Sequence, residues 1–211
     1  MNKCWIFDFD GTLIDSENHV RQTFINITKK LAPERIEIAK KVIIGPPLKE
    51  TAMEILGKKY KKLLDEFVDE FVKNHDQEIL SFSKAYNKTN DTLNILQKLG
   101  GKMAIATNKR KVPTMKIIKY FNWDNFFLYI ECSDSNSIFR NKSQLIKEII
   151  YNDKDFKESF FVGDTKADGI AARENNLKFV KANYGYGHLQ DWSNIPIYSD
   201  INDINEILFI E

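Results

Sequence analysis

The sequence predicts an α/β protein, a doubly wound parallel sheet interrupted after its first strand by an all-helical insert. Three observations carry this. Apolar runs of strand length recur along the second half of the chain, separated by segments of helical spacing, an alternation that builds parallel βαβ units. Residues 15–86 break that rhythm and repeat their apolar positions at helical spacing. The first apolar run, residues 4–9, leads straight into an acidic turn, and open α/β sheets bind ligands beyond such strand ends.

Residues 4–9 read as a buried strand stopped by the turn Asp8-Phe9-Asp10-Gly11-Thr12. In the insert, Val20, Phe24, Ile27 and Leu31 form one helical stripe, and Leu63, Leu64, Phe67, Val68, Phe71 and Val72 form a second. The connections of the insert, near Asp15-Ser16 and Ala85-Tyr86-Asn87, are hinge candidates. Residues 1–14 and 87–211 are therefore expected to make the α/β core domain, and 15–86 a helical domain. A helix is expected over 91–99, with Leu93, Leu96 and Leu99 on one side, a cap at Thr89 or Asn90, and Gly100-Gly101 after it. Strands follow at 102–107, 127–132, 159–162 and 178–182, with helices at 113–121, 143–151 and 167–176 between them.

A chain of 211 residues buries a full hydrophobic core, across one or two domains. Lys and Arg number 31 against 30 Asp and Glu, so the net charge of +1 gives no global pull toward nucleic acid or an anionic membrane. No apolar run approaches membrane-spanning length, and the strand that follows Met1-Asn2-Lys3 leaves no room for a signal peptide. Cys4 and Cys132 both sit in apolar runs and read as buried thiols, not as a disulfide or a metal site. The expectation is a reducing, cytoplasmic setting. His19, His75 and His188 lack metal-site spacing, and no dinucleotide or ATP-cradling string is present. Nothing in the sequence separates a monomer from a homodimer.

Residues two apart in an extended chain point to the same side, so Asp8 and Asp10 can face one pocket while Phe9 packs the other way. A carboxylate can attack phosphorus and form an aspartyl phosphate, splitting one hard step into two easier ones. A second carboxylic acid can protonate the leaving oxygen and later deprotonate water. Gly11 lets the chain turn sharply and bring backbone N–H groups to an anion. Two carboxylates beside a phosphate dianion repel one another, which calls for a hard cation such as Mg²⁺. The plain alternative is a pair of turn residues at a strand end.

The string Asp8-Phe9-Asp10-Gly11-Thr12-Leu13 after an apolar strand resembles the first motif of the haloacid dehalogenase superfamily. It is most similar to phosphatases of that family with a helical cap inserted after the motif, such as phosphoglycolate-phosphatase-like members. The resemblance implies a Rossmann-like core, Asp8 as nucleophile, Asp10 as acid and base, and Mg²⁺ held by Asp8, the Asp10 carbonyl and Asp164. Met103-Ala104-Ile105-Ala106 ends at Thr107-Asn108, where a hydroxyl and a backbone N–H can cradle phosphate or cap the next helix. Its likeness to the second family motif implies phosphate binding by Thr107 and the Asn108 backbone, with Gly11 contributing. Gly163-Asp164 followed by Asp168 resembles the last motif, which makes Asp164 a metal ligand. Asp168 is then a second ligand or an outer-shell orienter, and it can also complement the dipole of the helix it opens. The family's lysine, which holds the nucleophile and neutralises phosphate charge, is assigned to Lys142. The family commonly has Pro after that lysine where this chain has Ser143, so Lys147 is the fallback.

Gly45-Pro46-Pro47-Leu48 resembles a cap loop bordering the site in these relatives and reads equally as a plain helix connector. Lys58-Lys59-Tyr60-Lys61-Lys62 reads as the solvated side of a helix. Tyr184-Gly185-Tyr186-Gly187 resembles a late loop of the same relatives, with ordinary turn duty as the alternative. The expected activity is Mg²⁺-dependent hydrolysis of a small phosphorylated metabolite, a phosphomonoester. A β-phosphoglucomutase-like phosphomutase would share every residue named, and a non-catalytic binding protein could retain the fold. A true dehalogenase has no need of Asp10.

Overall fold

A computed structural model describes residues 3–135 and 139–211, with only the backbone for His188 and Leu189. The chain divides into two compact units, one made of the residues up to Asp15 together with Lys84–Glu211, the other of Ser16–Ser83.

The first unit is built on a six-stranded sheet. β1 (Cys4–Phe7) runs through the centre and every residue in it is buried. Cys-Trp-Ile-Phe has no polar side to offer solvent, as expected of a parallel strand covered on both faces. After it come β2 (Ile14–Asp15) and, beyond the second unit, β3 (Lys84–Ala85), which pair antiparallel with Asp15 opposite Lys84. Then follow α5 (Thr89–Lys98), β4 (Lys102–Thr107), α6 (Lys111–Tyr120), β5 (Tyr129–Cys132), α7 (Lys142–Asn152), β6 (Phe160–Gly163), α8 (Lys166–Glu174), β7 (Lys178–Ala182) and β8 (Ser199–Ile201). The sheet order is β5-β4-β1-β6-β7-β8, all pairs parallel. The chain winds outward from β1 first through β4 and β5, then through β6, β7 and β8. That reversal leaves a crevice at the carboxyl ends of β1, β4 and β6.

Alternation along the strands fills both faces. Ile6, Ala104, Ala106, Phe161 and Phe179 pack with Leu145, Ile146 and Ile149 of α7 and Ala171 and Ala172 of α8. Trp5 and Phe7 point the other way, where Trp5 stacks on Phe160 at 4.6 Å and Phe7 meets Phe127 edge-on. Cys4 and Cys132 are both buried free thiols. No helix among the described residues is long and apolar enough to cross a membrane.

The second unit is helical: α1 (Glu17–Leu31), α2 (Ile36–Lys41), α3 (Leu48–Leu56) and α4 (Leu64–Phe82), with single 3-10 turns at Pro33–Arg35 and Lys61–Leu63. Arg21 donates to the Lys40 and Val42 carbonyls, and Arg35 to those of Ile55 and Glu54. These guanidinium groups satisfy carbonyls that the ends of α2 and α3 leave open. A column of stacked rings runs along α1 and α4: Phe24 on Phe71 at 4.7 Å, Phe71 on His75 at 5.0 Å, His75 on His19 at 4.8 Å, and His19 on Phe82 at 4.8 Å. Both histidines are buried in this column.

The sequence expectations need two corrections. The basic run at residues 58–62 is a turn leading into a 3-10 helix, not a helix side, because Gly57 ends α3 with φ +61. β8 carried no strand signal, since Ser199-Asp200-Ile201 is a three-residue edge strand with only Ile201 fully buried.

Candidate active site

The crevice is lined from the strand ends. Asp8 directly follows β1, and its N–H still bonds the Val162 carbonyl at 2.9 Å, so its backbone is fixed by the β6 ladder. Phe9 is buried edge-on against Trp123, and the chain then turns with Gly11 at φ +84 and the Gly11 N–H on the Ile14 carbonyl. A β-carbon on Gly11 would collide with the Asp164 carboxylate, so glycine is required there twice over.

Lys142 is the first residue of α7, placed by a capping box in which Asn141 and Gln144 exchange side-chain and backbone hydrogen bonds. Its Nζ lies 2.6 Å from Asp8 Oδ1 and 2.7 Å from Asp168 Oδ1, with all three side chains buried. Lys147, one turn on, is exposed. Asp168 sits at the third position of α8, where its Oδ2 accepts from the N–H and the hydroxyl of Thr165. It caps the helix and orients Lys142 at once.

Asp164 follows β6. Its Oδ2 accepts from the Tyr186 N–H at 2.7 Å and its Oδ1 from the Thr12 hydroxyl at 3.3 Å. Gly185 and Gly187 press so closely on it that a β-carbon on either would overlap Asp164. The Tyr184 and Tyr186 hydroxyls donate to the Thr12 and Ile14 carbonyls, tying that loop to the turn after β1. Residues 184–187 are thus a clamp on the acidic site as well as a turn.

Thr107 ends β4. Its hydroxyl oxygen accepts from the Lys109 N–H at 3.0 Å, which leaves the hydroxyl proton to donate elsewhere. The Asn108 carbonyl accepts from the Ser133 hydroxyl, holding that peptide in place. Asp10 meets a residue sequence reasoning passed over: Lys109 Nζ stands 3.0 Å from Asp10 Oδ1, with its side chain 6% exposed. The period-2 logic that pairs Asp8 with Asp10 also pairs Thr107 with Lys109, and this was the signal available. Thr165 was likewise missed, although Thr165-x-x-Asp168 carries the spacing of a capping box.

Carboxylate oxygens of Asp8, Asp164 and Asp168 lie within 4.8 Å of one another, with one lysine among them. Burial, with Asp168 adding its charge against the pull of Lys142, pushes the Asp8 carboxyl up to about 7. Burial and the charges of Asp168 and Asp8 hold Asp164 well above the usual carboxylate range. Burial disfavours the Lys142 ammonium, yet Asp168 and Asp8 hold it above its ordinary value. Three carboxylates against one ammonium leave negative charge uncompensated. An all-oxygen donor set of this kind fits a hard divalent cation.

Comparison with known proteins agrees with this geometry. A family profile described as haloacid dehalogenase-like hydrolase matches residues 5–182. A phosphoglycolate phosphatase of Aquifex aeolicus is 27% identical over 198 residues, covering 92% of this chain and 90% of that one. The pyrophosphatase PpaX of Halalkalibacterium halodurans is 24% identical over 181 residues, covering 85% and 82%. Among solved structures, a haloacid dehalogenase-like family hydrolase from Streptococcus pneumoniae superposes with a TM-score of 0.83 at 22% identity, over 98% of this chain and 97% of that one.

Proposed function

The chain belongs to the haloacid dehalogenase-like hydrolase family, and on that premise we propose that it is a phosphatase acting on a small phosphorylated metabolite through an aspartyl phosphate on Asp8. The observation that carries this reading is the buried triplet Asp8–Lys142–Asp168 beside Asp164, at the switch point of the sheet. A purely structural site has no use for three clustered buried carboxylates, of which Asp8 and Asp164 have their proton affinity raised.

In the first step an Asp8 carboxylate oxygen attacks phosphorus, the bond to the leaving oxygen breaks, and Asp10 gives that oxygen its proton. In the second, the Asp10 carboxylate takes a proton from water, the resulting hydroxide attacks the acyl phosphate, and inorganic phosphate leaves Asp8 free. Lys142, the Thr107 hydroxyl, the Asn108 N–H and the turn at Gly11 bind the transferring phosphoryl oxygens. Asp168 keeps Lys142 aimed at Asp8 through the 2.7 Å contact. The Asp8 and Asp164 carboxylates and the Asp10 carbonyl would hold Mg²⁺. The ion supplies charge neutralisation between nucleophile and phosphate. Residues 16–83 would serve as the cap that selects substrate and excludes bulk water.

The test is phosphate release from a panel of phosphomonoesters and pyrophosphate, with Mg²⁺ and with chelator. Wild type is expected to turn over only with the cation, and Asp8→Asn and Asp10→Asn to lose at least ~100-fold. Wild-type silence across the panel, or an Asp8→Asn variant as active as wild type, defeats the reading. Interconversion of sugar phosphates without phosphate release would identify a mutase instead.

A further inference from the structure

Lys109 is a buried cation that the mechanism above does not use. Its ammonium offers three N–H donors, and among the described residues one acceptor meets them, Asp10 Oδ1 at 3.0 Å. Lys142 is held by Asp8 and Asp168, which leaves its third N–H as the donor for the transferring phosphoryl group. A second buried cation, on a different carboxylate, therefore asks for a second anion.

Its location says where that anion lies. Resting on the phosphatase reading, Asp10 protonates the leaving oxygen, so its carboxyl stands within hydrogen-bond reach of that atom. Adding the Lys109–Asp10 contact and the span of the carboxyl group puts the ammonium on the order of 8 Å or less from the leaving oxygen. That is the space occupied by the next atoms of the leaving group. The Lys109 backbone is pinned by its N–H on the Thr107 hydroxyl oxygen, so the side chain starts from the same turn that cradles the phosphoryl group.

We propose that Lys109 binds an anionic group on the leaving side of the substrate, so that the enzyme prefers phosphates whose leaving group carries a second negative charge next to the departing oxygen. A carboxylate one carbon away and a second phosphoryl group both satisfy this. The Aquifex phosphoglycolate phosphatase and the Halalkalibacterium pyrophosphatase are named for one substrate of each kind. Asp10 holds the ammonium in place until that anion arrives and shares it afterwards.

The test compares 2-phosphoglycolate with its uncharged isostere 2-phosphoglycolamide, in wild type, Lys109→Met and Lys109→Arg. Wild type is expected to favour the acid by about 10- to 100-fold in kcat/KM, the worth of a charge-assisted hydrogen bond. Lys109→Met should bring the two compounds within ~3-fold of each other, and Lys109→Arg should keep the preference. Taking the ratio within each enzyme cancels any loss transmitted through Asp10. An equal fall for both compounds in Lys109→Met means Lys109 only positions Asp10, and overturns the proposal. So does a wild type that hydrolyses uncharged esters as well as charged ones, which leaves the phosphatase reading standing. Wild-type silence on every phosphate compound overturns both. Thermal melts of the two variants confirm that folded protein is being compared.

Discussion

On the proposed mechanism Asp8 attacks phosphorus as an anion, yet burial, with the charge of Asp168 added, pushes its proton affinity up to about 7. In the unfolded chain the same carboxyl ionises near pH 4. A group whose pKa is raised by folding favours the fold at low pH and withdraws that support as pH climbs through its folded value. Without divalent cation, the melting temperature is therefore expected to drop between about pH 4 and 7 and to level off above that. Asp8→Asn should remove much of that slope, and saturating Mg²⁺ should abolish it by pairing the charge. Differential scanning fluorimetry across this range, with and without chelator, reads all three. A slope equally steep in Asp8→Asn would place the titration elsewhere.

Among the elements, the strand-end motifs could be found in the sequence because each joins a buried apolar run to a polar turn, a local pattern. Asp8, Asp10, Thr107, Asn108 and Asp164 stand at such junctions and Asp168 in the first turn of the helix that follows, whereas Lys142 opens α7 and was assigned through the resemblance. β8 could not be found, since an edge strand of three residues needs no apolar run. Lys109 was hidden for another reason: a lone lysine is on composition a solvated residue, and its burial depends on Asp10, 99 positions away. The helical stripes of residues 20–31 and 63–72 gave the helices but not the ring column, because stacking is a relation between α1 and α4. That column is the spine of the helical unit, with Phe24 and Phe71 buried at one end. Phe71→Ala should cost about 3–5 kcal/mol, read by chemical denaturation as a lower midpoint at unchanged slope. A loss below ~1 kcal/mol would mean the column contributes little.

At the scale of the whole molecule, the helical unit enters and leaves through one pair of short strands, with Asp15 opposite Lys84. Ends so close can be joined by a short Gly-Ser linker in place of residues 16–83. The shortened chain is expected to melt cooperatively, while losing discrimination among phosphate substrates; failure to fold would show that the sheet unit depends on the insert. The same interruption has a consequence in time. β1 leaves the ribosome ahead of the strands it pairs with, which begin at Lys102 and Phe160. A central strand with unpaired backbone on both edges is the most adhesive segment a nascent chain can carry. The 68 residues between Ser16 and Ser83 can meanwhile close on themselves, through helical contacts that are near in sequence. Asp8 is thus synthesised well before Lys142, Asp164 and Asp168 that surround it, so on the proposed mechanism an incomplete chain ending before Asp164 carries no hydrolytic centre to act prematurely.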